Sequence, residues 1–347
     1  MIPDGIRSAV RERLFNAFYN TWPRPEGELA DGYTIIAPIP ADLPVFLFLT
    51  LEVLKHQDLK EVGEILVVPD EPSAEFETLC RSLIAETRGL PPVRFKPLRS
   101  QDKLMLRLSG TPNFRHFMQL VNGVSASRTR YATLHDADLF LPAGDFLHQN
   151  FAACRDGGLS VFGIERRSTQ SRDGRDIAAT WEVTFDVEWA RSFPPKAHKG
   201  QRAEYGGRVQ EFDTMIYPQY LSAPEVVGLA ENMPPYYHFR HVISSWRDLK
   251  NGHPTPLNGG LKLFLIRTLV DVFDHSGWDY DPLPEHKAFV DGTVDYSRMM
   301  SDEEADEMVR FFFAEFNGLI DAHIFDEAQN RELRRRVSEL RAVLCEL

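Results

Sequence analysis

The chain has 347 residues, of which 43% are hydrophobic and 26% are charged, and it contains 24 Phe and 5 Trp. This composition excludes a wholly disordered protein, because the apolar surface suffices for a large core. The formal net charge of −12 argues against a nucleic-acid-binding protein, which needs clustered Lys and Arg to contact phosphates. The three cysteines are widely spaced and form no CxxC motif, so we expect a reducing, cytoplasmic location without disulfides.

The N-terminal segment is basic and shows no signal-peptide pattern. The longest apolar stretch, Leu43 to Leu54, is shorter than the roughly 20 residues that cross a bilayer, so we expect no transmembrane segment. An apolar stripe at helical spacing predicts a helix within residues 1–27 that packs on its own domain. The stripe consists of Ile6, Val10, Leu14 and Phe18. Peripheral membrane contact through this helix stays open, because arginines flank the stripe.

From residue 33 onward, short apolar runs alternate with helical patterns. The predicted strands are 33–40, 64–70, 93–97 and 130–140. The predicted helices between them are 43–57, 73–87 (with Ser73 as the N-cap) and 114–127. This alternation predicts an α/β fold with a mostly parallel central sheet and helices on both faces. Ligands of such sheets bind at the carboxyl ends of the strands. The sequence contains neither a dinucleotide-binding GxGxxG after the first strand nor a P-loop.

After residue 150 the pattern changes. Runs at 159–164 and 180–187 predict two further strands, and the segments 166–175 and 193–208 are predicted loops.

The last part of the chain, 302–347, is highly charged and is predicted to be helical. It carries an a/d-type seam of Leu333, Val337, Leu340 and Leu344. A seam about two heptads long packs either on its own domain or on a second subunit, so homo-oligomer formation through this helix stays open. We expect a catalytic domain over 28–260 and a helical C-terminal region over 261–347.

The most informative segment is Asp136-Ala137-Asp138, at the end of the fourth predicted strand. Two carboxylates so close together need a positive partner, because unpaired like charges repel. A divalent cation such as Mn²⁺ or Mg²⁺ that also contacts a diphosphate is the natural partner. For an isolated triplet of this kind, an exposed turn is the alternative interpretation.

The triplet is not isolated, since the stretch from His116 to Asp138 resembles the signature of family 2 glycosyltransferases of the GT-A fold. In that family, a helix with an Asn near its end leads through small residues into a strand that ends in DxD. The matching positions are Asn122, Ala126 and Asp136-Ala137-Asp138. The runs 33–40 and 64–73 resemble the family's first two strands. The first lacks the family's polar pair, and the second keeps one of two acids, Asp70.

This resemblance implies transfer of a sugar from a nucleoside-diphosphate sugar, with UDP favoured, to a carbohydrate or glycoconjugate acceptor. It implies that Asp138 binds the cation directly and that Asp136 holds either the ribose or a metal-bound water. Pro38, Asp70 and Asn122 are the further nucleotide-sugar contacts that it implies.

An inverting enzyme of this family also needs a carboxylate base from the second half of the domain. Asp213 is preferred over Glu211, because the matching family position follows another acid. Burial beside Phe212 and Tyr217 would raise the pKa of such a base. A carboxylate that caps a helix beginning near Thr214 is the alternative interpretation.

GT-A enzymes often place a histidine from the far half of the domain on the metal or the diphosphate. Here His238 and His241 are candidates that would share a face if their segment were helical. His241 is the preferred metal ligand, with Arg240 or Arg247 on phosphate oxygens. A structural role for these histidines is the alternative.

Three other functions are alternatives to glycosyl transfer. A phosphatase of the haloacid dehalogenase type requires Thr or Val where this chain has Phe140. A nucleotidyltransferase normally carries a Gly-rich basic loop after its first strand, and Ala37 to Pro44 contains neither Gly nor Lys. A non-catalytic nucleotide-sugar-binding protein of the same fold stays open.

Overall fold

The computed structural model describes most of the chain. The described residues are 4–24, 27–108, 112–165, 175–230, 235–253, 257–291, 293–294 and 302–345. The chain forms two compact units. The sheet unit comprises Met1–Asp42, Gln57–Ala137 and Gly144–Met233, and the helical unit comprises Leu43–His56, Asp138–Ala143 and Pro234–Leu347. The division into 28–260 and 261–347 stays a prediction.

The described secondary-structure elements follow in chain order. The strands are β1 (Ala30–Ile39), β2 (Val62–Pro69), β3 (Val93–Phe95), β4 (Thr129–His135), β5 (Leu139–Phe140), β6 (Val161–Glu165), β7 (Ala178–Asp186), β8 (Gln201–Tyr205), β9 (Arg208–Phe212), β10 (Val227–Leu229) and β11 (Tyr237–His238). The α-helices are α1 (Asp4–Phe18), α2 (Val45–Lys55), α3 (Ala74–Glu86), α4 (Ser100–Leu108), α5 (Pro112–Ala126), α6 (Phe146–Asp156), α7 (Val187–Ser192), α8 (Ile216–Leu221), α9 (Val242–Lys250), α10 (Leu257–Phe273), α11 (His286–Val290), α12 (Asp302–Asp321) and α13 (Glu327–Cys345).

The sheet unit is built on a seven-stranded sheet in the order β10-β6-β7-β4-β1-β2-β3. β1 pairs in parallel with β2 and with β4, and β3 and β10 also pair in parallel with their neighbours. β7 is the exception, because it runs antiparallel to both β4 and β6. The predicted α/β fold with a mostly parallel sheet is therefore confirmed.

Helices cover both faces of this sheet. The ring of Tyr33 stacks on Phe151 of α6, with 4.5 Å between the ring centroids. Ile36 lies three residues further along β1, so it points to the opposite face. There it belongs to a buried cluster with Leu120 and Val124 of α5. The two helices therefore bury opposite faces of the same strand.

Several elements match their predicted positions, and two segments differ. Ser73 is the N-cap of α3, and its hydroxyl accepts a hydrogen bond from the backbone N–H of Phe76 at 3.1 Å. α4 is the first difference, because no helix was predicted over Ser100–Leu108. The prediction of a loop over 193–208 is wrong, because β8 and β9 form a hairpin there. Gly206 and Gly207 both have positive φ, which a tight two-residue turn requires. Residues 166–174 of the other predicted loop lie outside the described residues.

The helical unit contains α2 and α9 to α13 as well as the two-stranded ladder of β5 and β11. The predicted helical character of the C-terminal region is confirmed by α12 and α13. Leu333, Val337 and Leu340 of the predicted seam are buried within this unit. No helix in the described part of the chain is both long and apolar enough to cross a membrane.

Candidate functional site

The acidic triplet lies between two strands rather than inside one. β4 ends at His135 and β5 begins at Leu139, so Asp136 and Asp138 occupy the connection. Asp136 and Ala137 belong to the sheet unit, whereas Asp138 belongs to the helical unit. The side chain of His135 is fully buried, with its Nδ1 2.7 Å from a carboxylate oxygen of Glu182.

Asp138 and His238 form a close pair in the helical unit. The antiparallel ladder pairs His238 with Leu139, and the carbonyl of Asp138 accepts a hydrogen bond from the N–H of Phe239 at 3.2 Å. This backbone pairing brings the Nε2 atom of His238 to 3.5 Å from Oδ1 of Asp138. The two side chains are only 10% and 9% exposed. The ladder therefore holds a carboxylate oxygen and an imidazole nitrogen side by side.

Asp138 is held in its ionised form. Burial alone would raise the pKa of this carboxyl, but His238 and then Lys262 lower it, and the pKa lies below its ordinary value. A buried carboxylate that stays charged is stabilised by positive neighbours. The carboxylate itself therefore needs no proton loss to bind a cation, whereas His238 would bind one only as the neutral imidazole.

A buried lysine accompanies this pair. Burial lowers the pKa of Lys262, and the nearby carboxylates of Glu315 and Asp138 oppose this effect. The Lys262 ammonium lies over the rings of Phe239 and Phe312, 5.7 Å from each ring centroid. Lys262 was not predicted from the sequence. It could have been recognised as a charged residue within the apolar run of α10, because a buried lysine normally has a charged partner.

Glu315 adds a second carboxylate to this electrostatic cluster. Burial raises its pKa, and the positive charges of Lys262, Arg240 and His238 oppose the rise. Glu315 was also not singled out from the sequence, because it lies in a charged helix where acidic residues are common.

The histidine that accompanies Asp138 is His238 rather than the preferred His241. The two histidines do not lie on one helix, because His238 belongs to β11 and His241 is the N-cap of α9. His241 is exposed and has a φ of 68°, in the left-handed region. Arg240 is exposed in the turn before α9, and Arg247 is half-buried on α9.

Asp136 belongs to the sheet unit. Its backbone N–H donates to the carbonyl of Trp181 at 2.9 Å, and its carboxylate lies 3.3 Å from Nε2 of His116 on α5. Both side chains are 23% exposed, so solvent reaches them. His116 was not predicted as a site residue, because nothing in the sequence pattern gives it a chemical role.

Pro38 and Asp70 lie at the carboxyl ends of neighbouring parallel strands. Pro38 of β1 is in register with Val68 of β2, and Asp70 directly follows β2. The buried carboxylate of Asp70 accepts hydrogen bonds from the backbone N–H groups of Ala41 and Glu71, both at 2.9 Å. Asp70 therefore fixes the connections that follow these two strands.

The burial of Asn122 was not predicted from the sequence. This residue is fully buried, and its amide donates to Asp102 Oδ2 at 2.8 Å and to the carbonyl of Met118 at 2.8 Å. The same Asp102 accepts hydrogen bonds from Tyr19 at 2.6 Å and from Arg99 at 2.9 Å. This burial favours a structural role for Asn122, and the nucleotide contact implied by the resemblance stays a prediction.

The two base candidates differ in their environment. Glu211 lies on β9 with its side chain 75% exposed, 3.7 Å from Arg202. Asp213 is half-buried, and its carboxylate accepts a hydrogen bond from the N–H of Thr214 at 2.8 Å. The α-helix in this region begins at Ile216 rather than at Thr214, with Met215 as its N-cap.

Comparisons with known proteins found likeness only among solved structures. No protein-family model matches the sequence, and no curated protein sequence matches it. The galactosyltransferase LgtC in complex with donor and acceptor sugar analogues matches with a TM-score of 0.44 and 11% identity, over 65% of this chain and 81% of that chain. TarS from S. aureus matches with a TM-score of 0.38 and 13% identity, over 90% of this chain and 54% of that chain. TarS 1–349 in complex with UDP-GlcNAc matches with a TM-score of 0.37 and 11% identity, over 90% of each chain.

These matches are distant, with 11% to 13% identity.

Proposed function

We propose that this protein is a metal-dependent glycosyltransferase that moves a sugar from a nucleoside-diphosphate sugar, with UDP favoured, to a carbohydrate or glycoconjugate acceptor. The observation that carries the proposal is the buried Asp138–His238 pair, with 3.5 Å between its carboxylate and imidazole atoms. Asp138 of this pair lies three residues after the end of β4, in the stretch that resembles the DxD signature. A cytoplasmic location is part of the proposal, and the buried free thiols of Cys80 and Cys154 support it.

The donor atoms of this pair fit a divalent cation. An ionised carboxylate and an imidazole are ligands of Mn²⁺, whereas Mg²⁺ prefers oxygen ligands alone. We therefore favour Mn²⁺ over Mg²⁺. Asp138 and His238 would hold the ion, and Asp136 is the third proposed ligand because it precedes Asp138 by two residues. When bound, such an ion neutralises the negative charge that develops on a diphosphate leaving group.

The remaining site residues are proposed to act without binding the metal ion. Arg240 and Arg247 are the proposed donors to phosphate oxygens, because a guanidinium forms paired hydrogen bonds with such groups. Pro38 and Asp70 shape the strand ends where the resemblance puts the nucleotide.

Asp213 is the proposed base that removes the proton of the acceptor hydroxyl. Its half-buried position supports it over the exposed Glu211, since a general base must be held in a fixed position to take the proton. The hydrogen bond from Thr214 occupies one carboxylate oxygen and orients the group.

A thermal-shift screen of the full chain tests this proposal. Nucleoside diphosphates and nucleotide sugars are added with and without Mn²⁺, because a ligand that binds the folded state raises Tm. We expect UDP or a UDP-sugar together with Mn²⁺ to raise Tm more than either does alone. The best donor is then assayed for release of the nucleoside diphosphate and for transfer to saccharide acceptors.

The outcomes separate glycosyl transfer from its alternatives. The absence of a shift with every common diphosphate would count against any nucleotide-sugar function. A metal-dependent shift without turnover on any acceptor or water would favour a non-catalytic binding protein. Formation of a nucleotide sugar from a sugar 1-phosphate and a nucleoside triphosphate would favour a nucleotidyltransferase.

A further inference from the structure

A cavity of about 160 Å³ lies in the sheet unit. It opens between the N-terminal helix α1, α4, α5 and the segment that precedes β8. The residues that line it and enter the argument are Arg11, Glu12, Phe15, Met105, Phe114 and Lys199. None of them belongs to the proposed nucleotide-sugar or metal residues.

One part of the cavity is apolar and firmly packed. Met105 and Phe114 are almost completely buried, and the rings of Phe15 and Phe114 lie 6.0 Å apart. They belong to the cluster that attaches α1 to α4 and α5. An apolar cavity of about 150 Å³ is large enough to bind benzene. The space therefore suits a group of that size.

The other part of the cavity is positively charged. The ammonium of Lys199 lies 4.7 Å from the ring centroid of Phe15 and 5.5 Å from that of Phe114. Burial lowers the pKa of Lys199, and the positive charge of Arg11 lowers it further. Two cations that repel each other beside an apolar wall favour an anion between them. Glu12 contributes one carboxylate, so the formal charge of the lining is +1.

We propose that this cavity is a binding site for a small amphipathic anion, with a benzene-sized apolar group and a single anionic group. The apolar group packs against Phe15, Met105 and Phe114, and the anionic group meets Lys199 and Arg11. A free aromatic acid and an acyl chain with an acidic lipid headgroup share this chemistry. The positive charge of the lining favours an anionic ligand over a neutral one. The chain as a whole has a net charge of −12 and would otherwise repel anions.

The site is tested with benzoate as the probe, by isothermal titration calorimetry and protein-observed NMR on the full chain. Benzyl alcohol keeps the ring without the charge, and acetate keeps the charge without the ring. We expect saturable one-to-one binding of benzoate and at least tenfold weaker binding of both control compounds. Equal binding of benzoate and acetate, or the absence of benzoate binding together with the absence of anionic-vesicle binding, would overturn the proposal.

Two variants with opposite expected effects locate the site. Lys199→Met keeps the length and the apolar stem, and it should weaken benzoate binding at least tenfold because a charge-assisted contact is lost. Glu12→Gln removes the repelling carboxylate at an exposed position, and it should tighten binding about threefold. Unchanged affinity in both variants would contradict the assignment. Displacement of benzoate by UDP with Mn²⁺ would assign it to the nucleotide site instead and also overturn the proposal.

Vesicle flotation distinguishes the two sources of the anion. Vesicles of phosphatidylcholine with and without phosphatidylglycerol are mixed with the wild type and with Lys199→Met. Lys199-dependent binding to the anionic vesicles, reduced by benzoate, would identify a lipid ligand. Benzoate binding without vesicle binding would identify a free small acid.

Discussion

The Nε2 atom of His238 lies 3.5 Å from Oδ1 of Asp138, although the two residues are far apart in the sequence. The short ladder of β5 and β11 creates this contact by placing His238 opposite Leu139. Positive neighbours keep the buried carboxylate charged.

Asp138→Asn should abolish the increase in Tm caused by Mn²⁺ with UDP. The amide keeps the shape of the side chain but lacks the charge that binds a hard cation. Without ligand, we expect the variant to remain folded with a lower Tm, because removing one partner of a buried ion pair leaves the other charge uncompensated. Differential scanning fluorimetry measures both values. A retained metal-dependent shift would contradict metal binding by Asp138, and loss of the fold would indicate a structural role.

His238→Asn should weaken Mn²⁺ binding at least tenfold, because loss of one proposed ligand typically costs about 1.4 kcal/mol or more. His241→Asn is the matched control, since Asn tolerates the left-handed φ of 68° at this N-cap. We expect the control to bind Mn²⁺ within about twofold of the wild type. Titration followed by electron paramagnetic resonance of Mn²⁺ measures the affinities. A greater loss of Mn²⁺ affinity in His241→Asn than in His238→Asn would indicate that His241 is the ligand.

Asp213→Asn should lower kcat for sugar transfer by about 10²- to 10⁴-fold, as expected for loss of a general base. The affinity for UDP with Mn²⁺ should not change, because Asp213 is not proposed to contact the donor. Glu211→Gln, on the exposed side of the hairpin, serves as the control and should retain nearly full activity. Steady-state kinetics on the identified donor and acceptor decide between them. Equal losses in both variants would contradict the assignment of the base to Asp213.

Asn122→Ala should destabilise the protein without affecting nucleotide binding. The substitution removes the amide that donates to the buried Asp102, which is expected to cost about 1–3 kcal/mol of the free energy of unfolding. Urea denaturation measures the stability, and calorimetry with UDP and Mn²⁺ measures the affinity. Asn16→Ala, at an exposed position on α1, should change the stability little. A loss of nucleotide affinity without a loss of stability would favour the contact implied by the resemblance.

His198 should make the stability depend on pH. Burial lowers the pKa of His198 to about 4, and the hydrogen bond to the carbonyl of Ala190 opposes this effect only in part. Above pH 6.5 the imidazole is neutral in the folded and unfolded states. As the pH falls from 6.5 to about 4, the unfolded chain takes up a proton that the folded chain does not, and the free energy of unfolding falls by about 3 kcal/mol.

The variant His198→Gln, which keeps an N–H donor, should lack this part of the pH dependence. His56→Gln, at an exposed histidine, should retain it. Urea denaturation at several pH values between 4 and 7 measures both. An unchanged pH dependence in His198→Gln would show that other groups cause it.

Local sequence patterns predicted those strands and helix ends whose formation depends on residues close together in the chain. The apolar runs of β1, β2 and β4 predict a buried parallel sheet because such strands are covered on both faces. Ser73 predicts the start of α3 because a hydroxyl accepts from the exposed N–H groups of a first turn. The hairpin of β8 and β9 was missed, although its adjacent Gly206 and Gly207 are a turn signal.

The tertiary structure decided which side chains meet. The sequence by itself determined that Asp136 and Asp138 end the fourth strand region and that a histidine follows in the second half of the chain. It could not distinguish His238 from His241, because that choice depends on the pairing of β11 with β5. It could not show that Asn122 is enclosed with Asp102, or that Lys262 lies near Asp138, because burial and electrostatic proximity arise from contacts between residues distant in the chain.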